Sequence, residues 1–333
     1  MKLKVQTKAP VDGTEYFAPE SEKKPRCRSV SFEKNHPKLG LSLNNLGNSL
    51  FRNGDYKSAM ENYLDALAIF TDIYQEEHID IANTLGNVGN TYWRIGNMTQ
   101  AAKYLEYSLH VHRLVSNAKN DNIDSDDTIE VANTLHSIGI VYYLQGNSDK
   151  ALGVFSKALK SRENVFGYNS IDVARTLDAI GSTNIQNGSN LDAIQYFEES
   201  LIIKRALLVM NHSSIVLTMK HLANAYRSKL DYCKALNLYE EVLHAQSIDD
   251  FSCFTLKDIG ETLQVIGEIY MQRMQHSYAI PYFTNAISNY EKAGVEHDDD
   301  IMVKVTMCMN AAIKVAELMS RNASSSKKTR CFT

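Results

Sequence analysis

The sequence predicts an all-α protein built as a stack of helix hairpins, and three observations lead there. One 24-residue pattern recurs six times, at 44–67, 86–109, 136–159, 178–201, 220–243 and 264–287. In every copy a small residue in the first helix is followed twelve residues later by an alanine. Between the two, glycine and short polar residues stand where one helix must end and the next begin.

The small residues are Gly47, Gly89, Gly139, Gly181, Ala223 and Gly267, with steps of 42, 50, 42, 42 and 44, so the period is 42. The alanines are Ala59, Ala101, Ala151, Ala193, Ala235 and Ala279. Small side chains in this register let two helices approach closely, as stacked hairpins require. Four residues before the small one stand Leu43, Leu85, Leu135, Leu177, Met219 and Leu263, and directly before it Leu46, Val88, Ile138, Ile180, Leu222 and Ile266. These are the expected core. Sixteen after it come Tyr63, Leu105, Phe155, Phe197, Tyr239 and Phe283, on the helical spacing that keeps one face apolar.

The turns read Asn53-Gly54-Asp55, Gly96-Asn97, Gly146-Asn147 and Asn187-Gly188-Ser189, a helix-ending glycine followed by a residue suited to N-capping. The fifth and sixth copies carry Leu230 and Met274 where the others have glycine.

This periodicity resembles the tetratricopeptide repeat. Its 42-residue period, with the openings His78-Ile79-Asp80-Ile81-Ala82-x-Thr84-Leu85 and Ser170-Ile171-Asp172-Val173-Ala174-x-Thr176-Leu177, is similar to the repeats of kinesin light chain. The resemblance covers about residues 36–293. It implies a right-handed superhelical α-solenoid of about six hairpins, first helices lining a concave groove, and a protein or peptide ligand held there. No coiled-coil heptads precede the array, so partnership with a motor heavy chain is not carried over.

In that geometry the groove positions hold Asn44, Asn48 and Phe51; Asn83, Asn90 and Trp93; Asn133, His136 and Tyr143; Arg175, Asp178 and Ser182; Lys220, Asn224 and Arg227; Gln264, Glu268 and Met271. Asparagine both donates and accepts, so an Asn-rich lining suits an extended backbone held with little sequence demand. Trp93, the one tryptophan, is either a binding anchor or part of the packing of its own repeat. Lys220 and Asn224 match half of the carboxylate clamp of related repeats, but Glu261 and Val265 stand where its basic second half belongs.

Residues 294–320 are expected to form a helix capping the last repeat, and 321–333 a disordered basic tail. The long 50-residue step places an exposed insertion at about 116–127, rich in Asn, Asp and Ser but without EF-hand spacing. His110 and His112 are two apart on different helix faces and are expected at the surface.

The leader 1–35 reads as a disordered basic segment. Arg28, Val30 and Phe32 resemble the docking motif of type-1 serine/threonine phosphatases, whose alternation suits strand addition to a sheet edge. Arg26, Arg28 and Ser31 match a basophilic kinase site, and phosphate on Ser31 would oppose docking. A regulatory subunit of such a phosphatase is therefore the alternative to a non-enzymatic adaptor.

Composition narrows the rest. Residues 1–36 hold eight Lys/Arg and five Asp/Glu and residues 320–333 hold four and none, leaving 23 Lys/Arg against 34 Asp/Glu between them. An acidic body disfavours nucleic acid. Five scattered cysteines and the lack of a secretory apolar stretch suggest the cytoplasm, or the nucleus, with reduced thiols. No apolar run approaches membrane-spanning length. No phosphate-binding glycine loop, zinc-protease motif or nucleophile elbow is present, so no enzyme activity, cofactor or metal is expected.

Overall fold

The computed structural model of the chain describes residues 36–74, 77–119, 128–247 and 255–330. The leader, with Arg28, Val30, Ser31 and Phe32, lies outside the described residues, as does 120–127 of the insertion. The described residues form thirteen helices and no strand.

They fall into two compact units, one ending at Gly167 and one beginning at Tyr168. The first holds three hairpins: α1 (Pro37–Arg52) with α2 (Tyr56–Tyr74), α3 (Ile79–Ile95) with α4 (Met98–Lys119), and α5 (Ile129–Leu144) with α6 (Ser148–Phe166). The second holds α7 (Ile171–Gln186) with α8 (Asn190–Leu207), α9 (Ser213–Ser228) with α10 (Tyr232–Ser247), α11 (Leu256–Gln272) with α12 (His276–Lys292), and then α13 (Asp300–Arg330).

The hairpins are held by the repeat positions. A Cβ placed on Gly139 would sit 2.5 Å from the Phe155 ring, and one on Gly47 would sit 2.6 Å from Tyr63. The small residue therefore admits the large one sixteen positions later, and Ala59, Ala101, Ala151, Ala193, Ala235 and Ala279 are all fully buried beside them. Removing a ring such as Phe155 from water contributes about 2–3 kcal/mol. A buried threonine recurs five residues before each small one from the second copy on, at Thr84, Thr134, Thr176, Thr218 and Thr262. Each hydroxyl donates to the carbonyl four residues back, at 2.7–3.0 Å, which satisfies a polar group in the core.

All six turns share one geometry. Gly54, Gly96, Gly146 and Gly188 have φ between 75° and 92°, and Leu230 and Met274 take up the same left-handed conformation at 63° and 59°. The turn thus survives the loss of its glycine, because the backbone bond from the following residue to the first helix is kept, Asp231 to Tyr226 and Gln275 to Tyr270. Asp55, Asn97, Asn147 and Asp231 then cap the second helices. Ser189 stands at the N-cap of α8 but makes no side-chain capping bond.

Four expectations are corrected. Leu46 is not core: it is 50% exposed, because α1 begins the stack and no earlier described hairpin covers it. Residues 116–119 are helical, since α4 continues to Lys119 before the insertion leaves the described residues. The last helix does not stop near 320 but runs through Arg330, into the stretch expected to be disordered. Its first turns cover the sixth hairpin, with Met302, Val305 and Ala312 buried against Phe283 and Tyr290. Finally His112 is not a surface residue, as developed below.

Candidate functional site

In the first unit the first helices α3 and α5 and the second helix α4 enclose a cavity of about 170 Å³. Asn83, Asn87 and Asn90 reach it from α3, Ser108 and His112 from α4, and Glu130, Asn133 and Thr134 from α5. Three of the predicted groove residues, Asn83, Asn90 and Asn133, are therefore brought together. Asn83 and Asn90 make no hydrogen bond to any described residue. Asn133 accepts from the buried Arg162 guanidinium at 2.9 Å, which fixes its amide.

Other predicted residues are consumed by the scaffold. Asn44 is buried and accepts from Asn87 at 3.1 Å and from the Thr84 hydroxyl at 3.4 Å, so it joins the first hairpin to the second. Asn48 accepts from the Tyr63 hydroxyl at 2.8 Å, and Asn224 from the Tyr239 hydroxyl at 2.8 Å. His136 is buried, with its ring 5.6 Å from that of Phe155. Tyr143 remains half-buried. Trp93 is half-buried against the apolar cluster of Leu105, Leu135 and Val141, and the Arg94 guanidinium lies 5.2 Å from its ring centroid. It packs between two repeats and does not line the cavity.

In the second unit the same positions are tied more tightly. Asp178 forms an ion pair with Lys204, whose side chain is 1% exposed, and the Thr218 hydroxyl accepts from that ammonium at 2.7 Å. Arg227 pairs with Glu268 at 3.2 Å and donates to Gln272 at 2.9 Å, while Lys304 of α13 reaches the same Glu268 at 3.2 Å. Against burial, which raises it, the hydrogen bond from Gln264 and then the Lys304 and Arg227 cations hold the Glu268 carboxyl below its ordinary range. Gln264 accepts from the buried Tyr290 hydroxyl at 3.0 Å. Arg175 is mainly exposed and pairs with Asp172 at 3.7 Å on its own helix, a contact of little energetic weight. Lys220 is half-buried; against the opposing effect of burial, hydrogen bonds from Thr255 lower the Asp258 carboxyl, and the Lys220 charge adds to them.

Sequence reasoning missed His112. Its side chain is 3% exposed, its ring lines the cavity, and no described residue bonds to either nitrogen. Burial pushes its pKa down to about 4, with the nearby Glu130 carboxylate opposing. The signal was available: His112 lies one helical turn beyond Ser108, whose hydroxyl donates at 2.7 Å to the Ala82 carbonyl and so marks the buried face of α4.

The tetratricopeptide-repeat pattern matches residues 32–111 and 130–206. Over those residues the chain carries tetratricopeptide repeats, a fold that serves as a scaffold for protein–protein interaction. The crystal structure of nearly identical TPR-like repeats from Podosopora anserina, assigned as a kinesin light chain, superposes with a TM-score of 0.54 at 18% identity, over 65% of this chain and 99% of that one. Pseudomonas aeruginosa pilF gives 0.53 at 15% identity over 76% and 93%. The apo form of RapI gives 0.53 at 12% identity over 85% and 99%. Identities this low show a shared fold. No curated protein matches the chain in sequence. No described helix is long and apolar enough to cross a membrane.

Proposed function

We propose that this chain is a non-enzymatic adaptor that holds an extended peptide, or a segment of another protein, along the first helices of its first unit. The observation that carries this reading is the pair of open amides, Asn83 and Asn90, lining one polar cavity from the same helix. A carboxamide can accept a backbone N–H and donate to a backbone carbonyl at once, so two of them on one helix face suit a main chain laid across them.

Displayed random 12-residue peptides, panned over the full chain, test this. Recovered peptides should lose about ten-fold or more in affinity for an Asn83→Ala/Asn90→Ala double variant, the loss of two hydrogen bonds to a desolvated ligand. Peptides that bind this variant as tightly as the native chain would sink the proposal. Circular dichroism should show the same helix content in both, since neither amide is bonded to the scaffold.

A further inference from the structure

The cavity beneath those amides has a chemistry of its own. We infer that it is a subsite for one basic side chain, lysine or arginine, of the bound peptide, held by the Glu130 carboxylate, the buried His112 ring and the amide oxygens of α3. This rests on the peptide-binding reading and names what the peptide must carry.

Three donors on the lining are spent within the scaffold: Asn87 donates to Asn44 at 3.1 Å, Ser108 to the Ala82 carbonyl at 2.7 Å, and Thr134 to the Glu130 carbonyl at 2.8 Å. What remains facing the cavity is donor and acceptor alike in the Asn83 and Asn90 amides, and acceptor alone in the Glu130 carboxylate. His112 adds one of each, because a neutral ring keeps one nitrogen as an acceptor and the other as a donor.

Charge points the same way. At neutral pH Glu130 is the one charged group lining the cavity, and it makes no ion pair with a described residue. Arg162 of α6 is not on the lining and donates to Asn133. An anionic side chain would meet Glu130 with no cation on the lining to balance it. A cationic one gains the carboxylate at the rim and a ring nitrogen at depth. The His112 ring faces the cavity and is bonded to no described residue, so its acceptor nitrogen is open to an incoming N–H.

Panning the full chain with displayed random 12-residue peptides reads this out. Peptides should show Lys or Arg enriched at one position. A synthetic peptide so selected should lose about ten-fold in affinity when that residue is replaced by Gln, and about as much against Glu130→Gln. The two changes together should cost little more than either alone, because they remove one interaction. Glu130→Lys should shift selection at that position toward acidic residues. Glu130 is exposed and bonded to no neighbour through its carboxylate, so both variants fold. Peptides that depend on Asn83 and Asn90 but show no basic preference, or bind Glu130→Gln unchanged, overturn the subsite and leave the groove standing. Peptides indifferent to Asn83→Ala/Asn90→Ala, or no peptides at all, overturn both.

Discussion

The two units carry the same repeat with opposite uses of its groove-facing side chains. In the second unit, Asp178, Asn224, Arg227, Gln264 and Glu268 are bonded to neighbouring helices, so the positions a ligand would touch help hold the hairpins together. In the first unit, the outer positions Asn44 and Asn48 are bonded likewise, but Asn83, Asn90 and His112 in the middle are left open over a cavity. One position after the small residue, Asn48 and Asn224 therefore serve the scaffold while Asn90 stays open. The difference teaches that a groove residue in such an array is identified by what its partner positions hold.

Asparagine one residue after the small one shows this most clearly. At Asn48 and Asn224 the residue fifteen positions on is a tyrosine, Tyr63 or Tyr239, whose buried hydroxyl claims the amide oxygen. Burial raises the pKa of both phenols to about 12, so each remains a donor. At Asn90 that position is Leu105, which has no hydroxyl, and the amide is free of the scaffold.

The contrast can be broken most severely at Asp178. Asp178→Ala leaves the Lys204 ammonium buried without its counter-charge and should destabilise the second unit by about 3–5 kcal/mol, read from the urea unfolding midpoint. A loss under about 1 kcal/mol would mean that Lys204 escapes to water.

The next effect depends on pH. The unfolded His112 takes up its proton as pH falls through about 6.5, while the folded ring resists until about 4, so stability is lost as pH falls across that window. The full difference is about 3 kcal/mol by pH 4, and His112→Asn should flatten that part of the profile. Burial lowers His221 in the second unit in the same direction. An unaltered slope in His112→Asn would assign the acid sensitivity elsewhere.

Smaller effects sharpen the comparison of registers. Asn48→Ala and Asn224→Ala each orphan a buried phenol and should cost about 1–3 kcal/mol, whereas Asn90→Ala should stay within about 0.5 kcal/mol of native. Equal losses at all three would remove the distinction drawn between the units. Leu230→Gly should stabilise by about 1 kcal/mol, because Leu230 is held at φ 63° with its side chain in solvent and glycine relieves the strain without lost packing. Thermal midpoints of the two proteins measure it.

Much of this was readable in the chain. The 42-residue period, the alanines from Ala59 to Ala279 and the glycine turns specify hairpins in one register, since helical spacing and turn chemistry are local properties. They do not say which polar residues remain open, because that turns on hydroxyls and carboxylates brought in from other helices. Lys204 reaches Asp178 from 26 residues away and Asn87 reaches Asn44 from 43.

The sequence by itself determined the helices, their pairing and the apolar faces that stack them, because each is set by residues within one repeat. Only the tertiary structure decided that Leu46 is uncovered, that Leu230 and Met274 accept a glycine's conformation, and that His112 lies buried over an open cavity. Those outcomes depend on which neighbours surround a position and on which of its polar partners are already taken, and neighbours are supplied by the packing of one helix against the next.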